Sequence, residues 1–211
     1  MTAAVGVGGI PRASADPPTH IAVIGDSYTT GSAEGGNGPQ SWPELAWQLL
    51  AQRGVEIDAD VAAEGGAGYG QRGSRGSIFE DLTAQAVHRN DVLVVFFGSR
   101  NDEPVDPGKF PAMAAEAFHL AHFVAPRAKF LVIGPPWPTD APPPSVLKVR
   151  DSLRQQAAST GAVFIDPIAE RWFVGHPELI GKDGVHPNDA GHAYMAQRIA
   201  PLIYDQLTIR L

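Results

Sequence analysis

Residues 20–31 read HIAVIGDSYTTG, an apolar run that ends in a Gly-Asp-Ser turn. The run is continuous rather than alternating, which is typical of a strand covered on both faces in a parallel sheet. Four more strand-like runs follow at 57–61, 92–97, 130–133 and 163–165, and several of these are continuous as well. Helical patterns separate them, the first behind a predicted capping box at 41–44. The order predicts one α/β domain with a five-stranded parallel sheet and helices on both faces.

Composition excludes several classes of function. The chain has 211 residues, with 16 Lys and Arg against 23 Asp and Glu and a formal net charge of −7. It therefore has no basic surplus with which to neutralise the phosphates of a nucleic acid. The absence of cysteine excludes disulfides, thiolate metal sites and a cysteine nucleophile. No apolar run approaches the roughly 18 residues that a membrane span needs.

The N-terminus has the pattern that ends a secretory signal. Small apolar residues at 2–10 precede Pro11 and the cleavage-like sequence Ala13-Ser14-Ala15. We therefore predict a flexible segment at 1–18, the remnant of a signal, and a secreted or cell-envelope protein. The alternative is an Ala- and Gly-rich terminus of a cytoplasmic protein.

Ligands of such a sheet bind beyond the carboxyl ends of its strands, so the residues after each run carry the functional information. Ser27 follows the first run and Asn101 the third, while Trp137 lies in a proline-rich loop after the fourth. Ser and Asn are also common helix caps and turn residues, so each position has a purely structural interpretation as well.

A glycine-rich segment at 64–76 follows the second run. Residues 68–73 match G-x-G-x-x-G, but they do not directly precede a helix, as a dinucleotide-binding fingerprint requires. A nucleotide cofactor is therefore disfavoured. Backbone N–H groups that bind an oxyanion are a second interpretation, and a flexible loop is the third.

Asp183 stands three residues before His186, so one loop can carry both. The carboxylate can then hold one ring nitrogen while the other faces the site. Asp166 is interpreted as a structural helix cap, and Asn188 or Asp189 as the cap of the last helix. An exposed position is the better interpretation for the other histidines, which are His20, His88, His119, His122, His176 and His192.

The order of these segments resembles the SGNH (GDSL) esterase/lipase family over about 21–207. The resemblance rests on four blocks: Gly25-Asp26-Ser27, a loop glycine, Gly98 with Asn101-Asp102, and Asp183-x-x-His186. It implies a flavodoxin-like three-layer α/β/α fold for a domain at 19–211. For the site it implies a Ser27 nucleophile with His186 and Asp183, an oxyanion hole of Ser27, Gly68 and Asn101, and no metal or cofactor.

The sequence departs from the family pattern in three places. Tyr28 replaces the leucine of the family name, and the third block is one residue longer than Gly-x-Asn-Asp. Several glycines compete in the second block, where Gly66 is the rival of Gly68. Long-chain lipase activity therefore does not follow from the resemblance.

The residues and the resemblance together predict a serine esterase that hydrolyses a small-molecule ester, with short acyl groups preferred. Tyr28, Tyr69 and Trp137 are predicted to line a small substrate pocket. Two alternatives stay open: a non-catalytic carbohydrate- or lipid-binding module on the same fold, and a metal-dependent hydrolase using Asp26, Asp183 and His186. The oligomeric state is left open.

Overall fold

The computed structural model describes residues 18–98 and 100–208. Its centre is a five-stranded sheet in the order β2-β1-β3-β4-β5, and all four pairings are parallel. Every predicted apolar run is a strand, with bounds that differ by at most two residues. The strands are β1 Thr19–Gly25, β2 Ile57–Ala63, β3 Leu93–Phe97, β4 Lys129–Ile133 and β5 Val163–Ile165. Residues 1–17 of the predicted N-terminal segment, including the cleavage-like site at 13–15, lie outside the described residues.

Helices cover both faces of the sheet, which confirms the three-layer α/β/α prediction. One core cluster contains residues of α3, α4 and α5, and the other contains residues of α2 and α6. The helices are α1 Ser27–Thr30, α2 Trp42–Ala51, α3 Phe79–Ala86, α4 Phe110–Val124, α5 Pro144–Thr160 and α6 Asp189–Thr208.

The central strand β3 shows why the runs are continuous. Val94 and Phe96 pack in one cluster, whereas Val95 and Phe97 pack in the other. All are fully buried because successive side chains of a strand point to opposite faces. Both faces must therefore be apolar, and β3 lacks the alternation of apolar and polar residues that is typical of a half-exposed strand.

Two local predictions at α2 and α6 are wrong. Ser41 occupies the N-cap of α2 but makes no side-chain capping bond, so the capping box is not formed. His192, predicted to be exposed, is instead fully buried, and its Nδ1 accepts the Trp42 N–H at 3.2 Å. Burial lowers the pKa of His192 to about 4. Asn188 does cap α6, because its Oδ1 accepts the Gly191 N–H at 3.0 Å, and α6 continues across Pro201.

Candidate active site

Ser27 is presented by a tight turn at the carboxyl end of β1. Asp26 is the N-cap of α1, and its Oδ1 accepts the Tyr28 N–H at 2.8 Å. Gly25 is required by close packing, since a Cβ there would lie 2.2 Å from Thr29 Oγ1. Ser27 begins α1, so its own N–H has no acceptor within the helix. The turn thus fixes the hydroxyl and leaves one backbone donor beside it.

His186 lies across this edge from Ser27. The distance from His186 Nε2 to Ser27 Oγ is 3.0 Å, and the distance from His186 Nδ1 to Asp183 Oδ2 is 2.6 Å. Asp183 Oδ1 also accepts the N–H groups of Val185 and His186, at 2.8 and 2.9 Å. The structure therefore brings Ser27, His186 and Asp183 together in one hydrogen-bonded chain. Ser27 and His186 are 159 residues apart in the sequence.

Asp183 is an anion over the whole physiological range of pH. Burial acts to raise its pKa, but the hydrogen bonds from the His186 ring and from the two backbone N–H groups outweigh it and lower the pKa to about 2. An ionised carboxylate on Nδ1 fixes the tautomer of the ring and stabilises its cation. Nε2 of His186 is then the nitrogen that can accept a proton from Ser27.

Asn101 also lies at this edge, in a short 3₁₀ turn at Arg100–Asp102 that follows β3. Its Nδ2 donates to Asp26 Oδ2 at 3.1 Å and to the Ala67 carbonyl at 2.9 Å. Both amide hydrogens therefore have acceptors in the protein. An oxyanion would have to compete with one of these acceptors, and the Asp26 bond is the longer of the two.

Gly68 is held in the glycine-rich loop by Asp102. The Asp102 carboxylate is fully buried and accepts the N–H groups of Tyr69, Gly70 and Gln71 at 2.8–2.9 Å. A Cβ at residue 68 would lie 2.4 Å from Asp102 Oδ2, so only glycine fits there. The Gly68 N–H donates to the Gln71 carbonyl at 2.9 Å, so this predicted oxyanion donor is also engaged within its own loop.

Two buried carboxylates near Ser27 were not singled out as supports of the site from the sequence. Asp26 is 1% exposed and Asp102 is 0% exposed. Burial raises the pKa of Asp26 to about 7, although its bond from the Tyr28 N–H and the nearby His186 lower it. Burial raises the pKa of Asp102 as well. The signal was present in the sequence, because each Asp directly adjoins a predicted site residue.

Tyr28 and Tyr69 do not line a substrate pocket, contrary to the prediction. Each is 1% exposed. The Tyr28 hydroxyl donates to the Val185 carbonyl, and its ring packs edge-on against Phe97 and Phe173. The Tyr69 ring lies in an aromatic cluster of the opposite layer, with Phe79, Phe96, Phe110 and Phe118. The turns direct these side chains back over the sheet, where aromatic burial is most favourable.

Trp137 is the member of the predicted pocket that keeps exposed surface. It is partly buried, and the Arg100 guanidinium lies over its ring with Cζ 4.4 Å from the ring centroid. A separate cavity of about 250 Å³ lies between the segment at 103–107 and α5. Neither Ser27 nor His186 lines that cavity, so it is distinct from the edge at which these two side chains meet.

No group of three or more His, Cys, Asp or Glu side chains within 18–98 and 100–208 is arranged to hold a metal ion. The carboxylate of Asp26 is directed at Asn101 and Tyr28, whereas Asp183 and His186 bond each other. In the same described ranges, no helix is long and apolar enough to cross a membrane.

Sheet topology and the residues at its edge define the class of protein, a three-layer α/β/α hydrolase. A family model described as the GDSL-like Lipase/Acylhydrolase family matches residues 23–194. A GDSL lipase of Mycobacterium tuberculosis (strain ATCC 25618 / H37Rv) is 61% identical over 191 residues, which cover 89% of this chain and 82% of that protein. The chain belongs to the GDSL-like lipase/acylhydrolase family, as the resemblance predicted, and it is a carboxylic ester hydrolase.

Solved structures share the fold at low sequence identity. A carbohydrate esterase family 2 enzyme from Corynascus thermopiles (Myceliophthora fergusii), which carries an added carbohydrate-binding domain, superposes with a TM-score of 0.71 at 22% identity. The match covers 95% of this chain and 69% of that one. The esterase EstA from Pseudoalteromonas sp. gives 0.70 at 17% identity and covers 90% of this chain and 100% of its own.

Proposed function

We propose that this protein is a serine esterase in which Ser27 attacks the ester carbonyl. The observation that carries the proposal is the hydrogen-bonded chain from Asp183 through His186 to Ser27, with 2.6 Å and 3.0 Å steps. These are the distances at which a base can take a proton from a nucleophile and be oriented by a third group. The same edge also holds backbone and amide donors for developing negative charge.

The mechanism follows from the atoms at each end of this chain. Nε2 of His186 removes the Ser27 proton while Oγ forms a bond to the carbonyl carbon. The imidazolium then returns the proton to the leaving alcohol, and Asp183 stabilises the cation throughout. Water, activated by the same nitrogen, cleaves the acyl-enzyme and releases the carboxylic acid, so that serine is regenerated.

The oxyanion of each tetrahedral intermediate is assigned to the Ser27 N–H and the Asn101 amide, with the Gly68 N–H as a third donor. The Ser27 N–H has no acceptor within its helix. The Asn101 amide and the Gly68 N–H each have an acceptor within the protein, which they must exchange for the oxyanion. For Gly68 the gain comes in the transition state, where the substrate oxygen carries more charge than the neutral Gln71 carbonyl. For Asn101 the bond to give up is the longer one, to Asp26 at 3.1 Å. Catalytic hydrogen bonds often tighten only when substrate is bound.

Short acyl groups are the proposed substrates. Tyr28 and Tyr69 offer no surface to an acyl chain because both are buried, so the argument rests on the loops instead. The segments at 35–38 and 72–77 are rich in glycine and polar or basic residues, which are poor components of an apolar groove. An acetyl-like ester of an alcohol or sugar needs no such groove. The carbohydrate esterase neighbour has the same fold, and its name motivates testing sugar acetates.

Covalent labelling tests the assignment directly. A fluorophosphonate should label wild type, and Ser27→Ala should lose both the label and nearly all hydrolysis of 4-nitrophenyl acetate. The matched control is Ser159→Ala, which removes an exposed hydroxyl that bonds only the Gln156 carbonyl on α5. Normal turnover by pure Ser27→Ala protein would remove Ser27 as nucleophile. Absence of labelling and turnover in folded wild type would favour a non-catalytic binding module.

The location outside the cytoplasm is a further part of the proposal, supported by the cleavage-like residues at 13–15. Fractionation of cells that express the full chain should recover activity from the medium or envelope. Recovery in the cytoplasm alone would contradict it.

A further inference from the structure

An arginine beside the catalytic edge forms no salt bridge with any described residue. Arg100 is the first residue of the 3₁₀ turn that carries Asn101, and it occupies the stretch in which the third block is one residue longer than Gly-x-Asn-Asp. No carboxylate of the described residues lies within 4.0 Å of its guanidinium, although the chain has many more acidic than basic residues. The arginines on α5, in contrast, contact Asp166.

The position of this guanidinium is fixed by its neighbours. Its Cζ lies 4.4 Å from the centroid of the Trp137 ring, a distance at which a cation is attracted by the ring face. This attraction restrains the guanidinium beside the indole ring, and the N–H donors of a guanidinium form a rigid planar fork. On the other side, burial raises the pKa of the Tyr28 hydroxyl to about 12, and both the positive charge of Arg100 and a side-chain hydrogen-bonding contact of its guanidinium with that hydroxyl oppose the rise. Arg100 therefore lies next to the residue that follows Ser27.

One donor of this fixed cation is unsatisfied. Arg100 Nη1 is shielded from solvent and has no hydrogen-bond partner among the described residues, whereas the side chain as a whole is only partly buried. A buried donor without an acceptor is costly, more so when it is charged, and such groups are rare in folded proteins. The charge of Arg100 does act on Asp26, whose pKa it lowers. The hydrogen bonds of the nearby carboxylates nevertheless go to other groups: Asp183 bonds His186, Asp102 bonds three backbone N–H groups, and Asp26 bonds Asn101 and Tyr28. A ligand that contacts the exposed part of the guanidinium and reaches Nη1 on binding would supply the missing acceptor.

We propose that Arg100 binds an anionic group of the substrate, so that the preferred ester carries a carboxylate close to the scissile bond. The inference rests on the proposed esterase function and names its substrate class. The planar fork of a guanidinium matches a carboxylate in a two-bond arrangement. It also offsets the repulsion that an anion meets at an edge with three aspartates on a chain of net charge −7. The carboxylate belongs either to the acyl part or to the alcohol part.

The experiment compares matched anionic and neutral esters. For the acyl side, kcat/KM is measured for the mono-4-nitrophenyl ester of glutaric acid and for its methyl-capped neutral counterpart. For the alcohol side, 4-acetoxybenzoate is compared with 4-acetoxybenzamide. Wild type should prefer the anion at least tenfold in one of the two pairs, and that pair identifies the side. Arg100→Gln should lower the anionic-to-neutral ratio by about tenfold to a hundredfold, mainly through KM.

Two further variants separate charge from fold. Arg100→Lys keeps the charge without the planar fork and should restore part of the ratio. Arg53→Gln is the matched control, because Arg53 is exposed and also lies over an aromatic ring, 5.3 Å from the centroid of Tyr204; its ratio should equal that of wild type. The anionic-to-neutral ratio of kcat/KM is taken within one variant, so a rate loss that affects both esters of Arg100→Gln equally does not change it.

The inference is overturned if wild type hydrolyses the neutral esters and shows no preference for the anion in either pair. It is also overturned if Arg100→Gln slows both members of a pair equally, which would place the guanidinium on the oxyanion or in the fold. Failure of wild type to hydrolyse any of the four esters would instead contradict the proposed function, and this inference with it.

Discussion

The carboxylate of Asp102 is expected to support both the stability of the protein and its turnover. In Asp102→Asn one oxygen becomes an NH₂ group that cannot accept a hydrogen bond. With the remaining oxygen at the Oδ1 position, the bonds from Gly70 and Gln71 at 2.8 and 2.9 Å survive. The Tyr69 N–H, now 2.8 Å from an acceptor, would face a second donor instead. The substitution is nearly isosteric, so the effect reports hydrogen bonding rather than a cavity.

The magnitude follows from these three bonds. A buried donor left without an acceptor costs roughly 1–3 kcal/mol, and the two surviving bonds lose their charged acceptor, at roughly 0.5–1 kcal/mol each. Removing a buried charge returns part of this cost, as the raised pKa of Asp102 indicates. We expect the free energy of unfolding to fall by about 2 kcal/mol, and kcat to fall by about tenfold as the loop with Gly68 loosens.

Urea unfolding and initial rates with 4-nitrophenyl acetate measure both quantities. The matched control is Asp106→Asn, because Asp106 is exposed and its Oδ1 accepts one backbone N–H, that of Gly108, at 2.9 Å. It should change the free energy of unfolding by less than about 0.5 kcal/mol. The reasoning is refuted if Asp102→Asn is as stable and as active as this control.

Three other predictions use the same assays. Asn101→Ala should lower kcat by roughly 10²–10³ with little change in KM, because its amide acts on the transition-state oxyanion; an effect on KM alone would assign Asn101 to substrate binding. Across nitrophenyl esters from acetyl to palmitoyl, kcat/KM should be highest between acetyl and hexanoyl, and a maximum at ten carbons or more would reveal an apolar groove. His192→Asn should make the free energy of unfolding depend less on pH. The pKa of His192 is about 4 in the folded state and 6.5 in the unfolded state, so the free energy of unfolding of wild type falls by roughly 3 kcal/mol as the pH falls from 6.5 to 4. Equal slopes of unfolding free energy for wild type and variant between pH 7.5 and 4.5 would contradict the buried, neutral histidine.

The sheet could be predicted from the sequence because its signal is local. A continuous apolar run such as 93–97 can be stable only where both faces are covered, and five strand-like runs separated by helical patterns, several of them continuous, leave few architectures. The catalytic candidates followed from position, since Ser27 and Asn101 come directly after strands that end at the same edge. Asp183 and His186 needed the family pattern, because nothing local says that the loop returns to Ser27.

Side-chain direction was the part that the sequence did not determine. Tyr28 and Tyr69 follow strands just as Ser27 does, yet the turns direct them into the core rather than toward a ligand. His192 was misplaced for a related reason: an imidazole on an amphipathic helix has no sequence mark that distinguishes exposure from burial. In the structure, its Nδ1 serves as the acceptor for the first N–H of α2, a partner 150 residues away that no periodicity reveals.

The two aspartates beside the proposed catalytic residues explain how separate loops hold one geometry. Asp26 accepts the Tyr28 N–H on its own turn and the Asn101 amide from the turn after β3. Asp102, which follows Asn101 in the sequence, accepts three N–H groups of the loop after β2. Three loops are thereby joined by hydrogen bonds to two buried carboxyl groups, and in the ionised state of these groups such bonds are stronger than bonds between neutral groups. Their burial is unfavourable in isolation, as both raised pKa values show. The carboxylates are retained where they immobilise donors, and in a site of this kind the positions of the donors set the stabilisation of the oxyanion.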